Sequence, residues 1–425
     1  MLRNLTQLYL DSYSGLPRKV WYLSLVLLIN RSGAMVLPFL TVYLVSEHGY
    51  EPVQAGYAML AFGVGGVFGN SIGGYLNDRF GSWHVQWIAM IVSGLFFISL
   101  AFVTSLWLIC ILIFFTAMSA DCFRPANKAA VAYYTKPESL TQAFGLQRMA
   151  VNLGLALGPL FAALILEYAN YQWLFWGDGI TCIIAAVAFL LLIPADRTAR
   201  PLVENNKADK ADDILDTAVP AFSKPSIPAI QAGWLLMFCL SNLLIMLAFF
   251  LFIGVLPVQM VEVGYREMDY SRLLLFNGLL IVFFEMIILH LLKGKVALLR
   301  VMKFGAFLVI LGNAVLWSGG LQLPILYLFI FLITFGEIFY MPFTHTYVTA
   351  RAPLDRRGEY LGLISASYAI AFSLVAPLWF KLEELVGWDQ TVLISCLSAG
   401  LGWLGIWALA RREREAPVGL MVAAE

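Results

Sequence analysis

Residues 324–346 read PILYLFIFLITFGEIFYMPFTHT, an apolar run with a single carboxylate, Glu337, near its middle. About 20 helical residues cross the hydrocarbon core of a bilayer, so a stretch of this length and composition predicts a membrane-spanning helix. Polar backbone cannot face lipid, which leaves helix as the form such a run must take. Eleven further runs share the pattern. They begin near Val20, Gln54, Val85, Leu106, Gln142, Gln172, Ala229, Ser271, Leu299, Glu359 and Trp388, separated by short polar or Gly/Pro breaks. The expected fold is all-α and integral to the membrane, with twelve transmembrane helices.

The composition agrees. The chain has 425 residues, of which 61% are hydrophobic and 13% charged, about half the charge (~25%) usual in a soluble protein. A soluble globular enzyme, a disordered scaffold and a nucleic-acid binder are excluded, and the lipid bilayer is an expected partner. An outer-membrane barrel is disfavoured, because its strands are about ten residues long and alternate in polarity. Cys110, Cys122, Cys182, Cys239 and Cys396 are scattered singly through apolar runs, which is neither a disulfide framework nor a metal-ligand pattern.

Lys and Arg total 27, as do Asp and Glu, but the bases are unevenly placed. With the N-terminus in the cytoplasm, 21 bases fall on that side of the membrane. Only Arg266, Arg272 and Lys381 fall on the other side, and Arg31, Arg124 and Arg148 lie within spans. This bias predicts a multi-pass protein of the cell's inner membrane with both termini cytoplasmic. The longest polar stretch, 194–228, reads as a cytoplasmic linker between an N-terminal six-helix bundle (1–193) and a C-terminal one (229–425). The two halves echo each other. Val36-Leu37-Pro38 recurs as Val255-Leu256-Pro257, and the stretch Pro125 to Gly145 is matched by Pro342 to Gly362. Parallel repeats of six helices are a known transporter plan.

The loop after the second run reads Gly74-Tyr75-Leu76-Asn77-Asp78-Arg79-Phe80-Gly81. It resembles the signature loop of the major facilitator superfamily, with Ser82-Trp83 where two bases are usual. That resemblance implies two pseudo-symmetric six-helix bundles, the major facilitator fold. It also implies that Gly74, Asp78, Arg79 and Gly81 form a conformational latch, in which Gly74 allows close helix approach and the charges meet a moving neighbour. The fifth run holds Gly145, Gly154, Gly158-Pro159 and Ala162-Ala163. This is similar to the motif of the drug–proton antiporter branch. Small residues there permit close packing, and Pro159 removes a backbone bond.

Charged residues inside spans cost about 2.5–3.5 kcal/mol each at a helix centre, so each needs a reason. A carboxyl in an apolar surrounding can exchange its proton near neutral pH as water access changes. Glu337, Glu285 and Asp121 are therefore the expected proton-coupling groups. In the superfamily the first, fourth, seventh and tenth spans line the central cavity, which would set Arg31, Asp121, Arg124, Asn242 and Glu337 before water or solute. Asn30, Arg31, Arg124, Asn152, Asn242 and His345 are the expected solute-binding residues. Permanent pairs, Asp121 with Arg124 or Arg31 with Glu337, are the structural alternative, and Asp178 reads as an interfacial or packing residue.

The expected function is secondary active transport of a small organic solute by alternating access, coupled to protons and directed outward, in a monomer. No nucleotide-binding loop of the Gly-x4-Gly-Lys-Ser/Thr type is present, so the proton gradient is the expected energy source and no cofactor or metal is called for. Proton-coupled uptake of a nutrient, such as a peptide or metal-chelating metabolite, stays open. From other classes, a lipid-modifying membrane enzyme lacks a catalytic cluster, and a non-transporting sensor also stays open.

Overall fold

The computed structural model describes residues 15–136, 139–195, 229–292, 296–353 and 357–415. Apart from its first two residues, the expected 194–228 linker lies outside the described residues. Twelve helices are long and apolar enough to cross a membrane, and no strand occurs among the described residues. The first span is two helices, Arg18–Ser32 and Val36–Ser46. The next five are Pro52–Phe80, Ser82–Leu100, Leu106–Tyr134, Leu140–Tyr168 and Gln172–Leu192. The seventh is again two helices, Gly233–Gly254 and Leu256–Glu262. Glu267–Leu292, Leu298–Gly319, Leu323–Arg351, Arg357–Val386 and Trp388–Glu415 complete the set.

Helix packing repeats with a period of six spans. In the first half the second span packs on the fourth, the third on the fourth and sixth, and the first on the fifth and sixth. In the second half the eighth packs on the tenth, the ninth on the tenth and twelfth, and the seventh on the eleventh and twelfth. The contacts between halves obey the same rule, second on eleventh and fifth on eighth. Small residues bring the backbones together. A Cβ added at Gly69 or Gly73 would collide with the backbone of Met118 or Cys122 in the fourth span, and one at Gly56 with the backbone at Pro377 in the eleventh. Gly74, by contrast, faces open space. The close approach expected of it belongs to its neighbour Gly73, one position round the helix. Gly81 ends the second span at φ +80°, a conformation that suits glycine, so that the third begins one residue later.

Apolar cores show how the halves meet. One runs through the second half and takes in the first half at the end away from the linker, where Val36, Phe39 and Tyr43 share it with Phe252, Val255 and Tyr270. Phe39 and Tyr270 meet edge to face at 5.8 Å, and the Tyr171 hydroxyl donates to Glu267 at 2.6 Å. The second core, including Leu23, Phe123, Val131, Leu146 and Phe189, belongs to the first half alone and lies toward the opposite end. At that opposite end, hereafter the linker end, inward-turned side chains such as Lys128 and His345 are exposed. The halves are thus closed at the far end and parted at the linker end. Large apolar side chains such as Phe102 and Leu191 cover the outer faces, as lipid contact requires.

Candidate functional site

The break in the first span falls at Gly33–Met35, in the middle of a run that reads as one helix. It exposes backbone N–H groups that have no intrahelical partner. Asp178 of the sixth span, 1% exposed, accepts them: Met35 N–H donates to Oδ1 at 2.8 Å and Val36 N–H to Oδ2 at 3.1 Å. A carboxylate at a helix N-terminus also suits the dipole of the second half-helix. Asp178 therefore fixes the shape of the first span, a sharper role than the packing expected of it. The fifth-span motif presses on the same break. A Cβ at Gly154 would fall 2.5 Å from the Arg31 Cβ, and one at Gly158 would fall 2.8 Å from the Ala34 carbonyl oxygen. On the eighth-span side, the Ser271 hydroxyl donates to the Pro159 carbonyl at 2.7 Å.

Arg31 lies in the last turn of the first half-helix, beside the break. It lies within electrostatic reach of Asp121 and Arg124 on the fourth span. Asp121 and Arg124, three apart on one helix face, form an ion pair of 2.8 Å. Asn70 of the second span approaches Asp121 at 3.5 Å. Of the two permanent pairs weighed as the structural alternative, Asp121 with Arg124 is made and Arg31 with Glu337 is not. Asn30, expected before the solute, turns its amide to the Cys182 sulfur of the sixth span at 3.5 Å. Lys128 is one of the 21 bases that the charge bias assigns to loops on the cytoplasmic side, but the fourth span continues to Tyr134, which puts Lys128 one turn beyond Arg124 on an exposed inward face.

The second cluster joins the halves. Arg148 of the fifth span forms an ion pair with Glu285 of the eighth, and the Asn152 amide donates to the other Glu285 oxygen at 3.1 Å. Glu285 is 3% exposed. Glu337 on the tenth span lies within electrostatic reach of both Glu285 and Arg148 and accepts from Asn277. Asn277 also donates to the Thr334 hydroxyl at 2.8 Å. Towards the linker end His345 stacks on Tyr368, with centroids 6.0 Å apart and planes at 19°. Asn242 does not belong to this lining. It is fully buried and donates to Ser367 at 2.8 Å, tying the seventh span to the eleventh.

Among the described residues the charges of the latch loop find only local partners. Asn77 reaches Asp78 at 3.4 Å, and Arg79 donates to the Tyr75 hydroxyl at 3.2 Å, all on the second span. Among the described residues no cluster of His, Cys, Asp and Glu could hold a metal, and all five cysteines are free. Sequence reasoning missed Lys128, Asn277 and Tyr368. For Lys128 the signal was present, since residues 121, 124 and 128 share a helical face.

Two six-helix bundles, closed on each other at one end and parted at the other over a charged interior, define a membrane carrier of the secondary type. The Major Facilitator Superfamily model matches residues 23–376, and the chain belongs to that family. It is 24% identical over 410 residues to a Na(+), Li(+), K(+)/H(+) antiporter of Planococcus maritimus, covering 89% of this chain and 92% of that one. It is 26% identical over 199 residues to the 4-hydroxybenzoate transporter PcaK of Pseudomonas aeruginosa, covering 46% and 44%. Its fold matches the crystal structure of a POT family transporter in complex with 5-aminolevulinic acid, with a TM-score of 0.78 at 16% identity over 94% of this chain and 97% of that one. The chain is accordingly a transporter and not an enzyme.

Proposed function

We propose that this carrier exports a small organic solute across the cell's inner membrane in exchange for protons, as a monomer with both termini in the cytoplasm. The observation that carries the reading is the placement of Glu337 beside the Arg148–Glu285 pair that ties the two halves. Arg148 faces two carboxylates but is bonded to one. While Glu337 holds a proton, the Arg148–Glu285 tie is undisturbed. When the proton leaves through the open linker end, Glu337 becomes a second anion competing for the same guanidinium. That competition loosens the tie between halves and lets them rock, and reprotonation from the other side of the membrane restores it. Similarity to the Planococcus antiporter along most of both chains supports exchange as the coupling mode.

The test is flux in proteoliposomes loaded with a pH-sensitive dye, using solutes found by a ligand thermal-shift screen. Adding solute should move protons in the opposite sense, and movement in the same sense would make the carrier an uptake symporter. Glu337→Gln should abolish gradient-driven transport while sparing solute exchange. Driven transport at the wild-type rate in that variant would remove Glu337 from the coupling.

A further inference from the structure

The chamber holds more fixed positive charge than its own carboxylates answer. Asp121 is taken by Arg124, and Glu285 by Arg148. Arg31 is left over. Its Nε is buried without a hydrogen-bond partner, and no carboxylate among the described residues forms an ion pair with it. Lys128, on the exposed face of the fourth span, likewise has none. Glu337, the remaining carboxylate, is engaged elsewhere, with Asn277 and the Arg148–Glu285 pair. A lone guanidinium in the middle of a membrane protein is costly. The carbonyl end of the first half-helix relieves only part of that cost. The space Arg31 occupies is nonetheless maintained by two independent features: Gly154 withholds a side chain that would strike it, and Asp178 holds the break beside it. A buried cation kept unpaired beside a break in its own helix is a group prepared for an anion.

We propose that Arg31 receives a compact oxyanion of the transported solute, a carboxylate, with Lys128 drawing it in along the fourth span. This rests on the carrier reading only for the word transported. The guanidinium fork matches a carboxylate in two parallel hydrogen bonds, which a lysine ammonium cannot reproduce. The stacked pair His345 and Tyr368 faces the same chamber from the second half and offers a flat surface for the remainder of an aromatic or apolar acid. A permanently cationic solute meets like charge from Arg31 and Lys128 and is disfavoured.

The test is a thermal-shift titration of the full-length detergent-purified protein with benzoate, inorganic phosphate and tetraphenylphosphonium. Benzoate should raise Tm in a saturable way, and the other two should not. Arg31→Gln should fold with a ligand-free Tm at or above wild type, because an unpaired interior charge has been removed. It should weaken benzoate by about tenfold or more, and Arg31→Lys should recover only part of that loss. An unchanged benzoate response in Arg31→Gln, no benzoate response in the wild type, or stabilisation by phosphate or by tetraphenylphosphonium in its place would overturn the assignment. No proton gradient enters this measurement. Glu337→Gln should lose driven transport yet keep the benzoate shift, so failure of the coupling reading and failure of the anion site are distinguishable.

Discussion

The interior carries two ion pairs built from the same chemistry and placed for opposite purposes. Asp121 and Arg124 are three residues apart on one helix, so no rigid-body motion of the halves can separate them. Arg148 and Glu285 are 137 residues apart and sit on helices of different halves, so any rocking that parts the fifth and eighth spans must break them. The first pair sets a constant field beside Arg31. The second is a tie whose strength depends on what else Arg148 can bind. Charges in a membrane interior are therefore not one class. Their roles follow from whether the two partners move together.

The largest effect is expected at the cross-half tie. Glu285→Gln removes the carboxylate bonded to Arg148 and leaves only the unbonded Glu337 within electrostatic reach of it. Breaking a fully buried pair costs about 3–5 kcal/mol, but the Arg148 side chain is 39% exposed, so a loss of ~2–3 kcal/mol in unfolding stability is expected. Adding Arg148→Gln to Glu285→Gln should return most of that stability, because no lone charge remains. It should not return gradient-driven transport, which needs the tie to respond to Glu337. A double-mutant cycle on stability and on flux checks both. If the doubly substituted carrier drives transport at the wild-type rate, the pair is an inert strut and the contrast with Asp121–Arg124 disappears.

A smaller effect should follow at the single-helix pair. The Arg124 side chain is 48% exposed, and ion pairs with that much water contact contribute about 0–1 kcal/mol. Asp121→Asn should therefore leave Tm nearly unchanged and leave the coupling ratio of proton to solute intact. It removes a negative charge that acts on Arg31, so benzoate affinity should rise, by about 2–5-fold at low salt and less at high salt. A fall in benzoate affinity would mean that Asp121 positions Arg124 for the ligand, and that this pair too is part of the moving machinery.

The contrast also explains what the sequence disclosed. All twelve spans were legible, with starts within four residues of those observed, because bilayer thickness imposes a run length that few other constraints mimic. Helix ends were less legible, since a helix need not stop where the hydrocarbon does. The fourth span carries on to Tyr134 and converts Lys128 from a loop base to a lining residue. The repeat Val36-Leu37-Pro38 and Val255-Leu256-Pro257 marked the symmetry without revealing its content. Both prolines lie in the first turn of a second half-helix, where a missing N–H is no loss, and so both mark the breaks. What closes each break could not be read. In the first span Asp178 accepts two N–H groups across 143 and 142 residues. In the seventh the Tyr270 hydroxyl donates to the Phe252 carbonyl at 3.0 Å. Asp121 and Arg124 were foreseeable as neighbours on a helix, whereas Arg148 and Glu285 meet only once the halves are folded together.

A third charged site, Asp78 and Arg79 at the end of the second span, completes the comparison by being neither constant nor broken. Among the described residues its side chains reach only Asn77, Tyr75 and the Phe80 ring of the same span, in a structure whose linker end is parted. A latch at that end can engage only when the two halves approach there, which is the opposite conformation. Its contribution to the present state is that of a solvated surface charge, so Asp78→Asn should change stability by less than about 0.5 kcal/mol. Its effect should appear in kinetics. The opposite conformation loses a stabilising contact, turnover slows by about 2–10-fold, and benzoate affinity measured in detergent stays at the wild-type value. Stopped-flow flux in proteoliposomes beside a thermal-shift titration separates these quantities. A change confined to affinity would place Asp78 in communication with the chamber and not with the rocking motion. A variant unchanged in both would reduce the Gly74–Gly81 loop to a polar turn, with the cross-half tie at Arg148 and Glu285 as the charge pair on which switching depends.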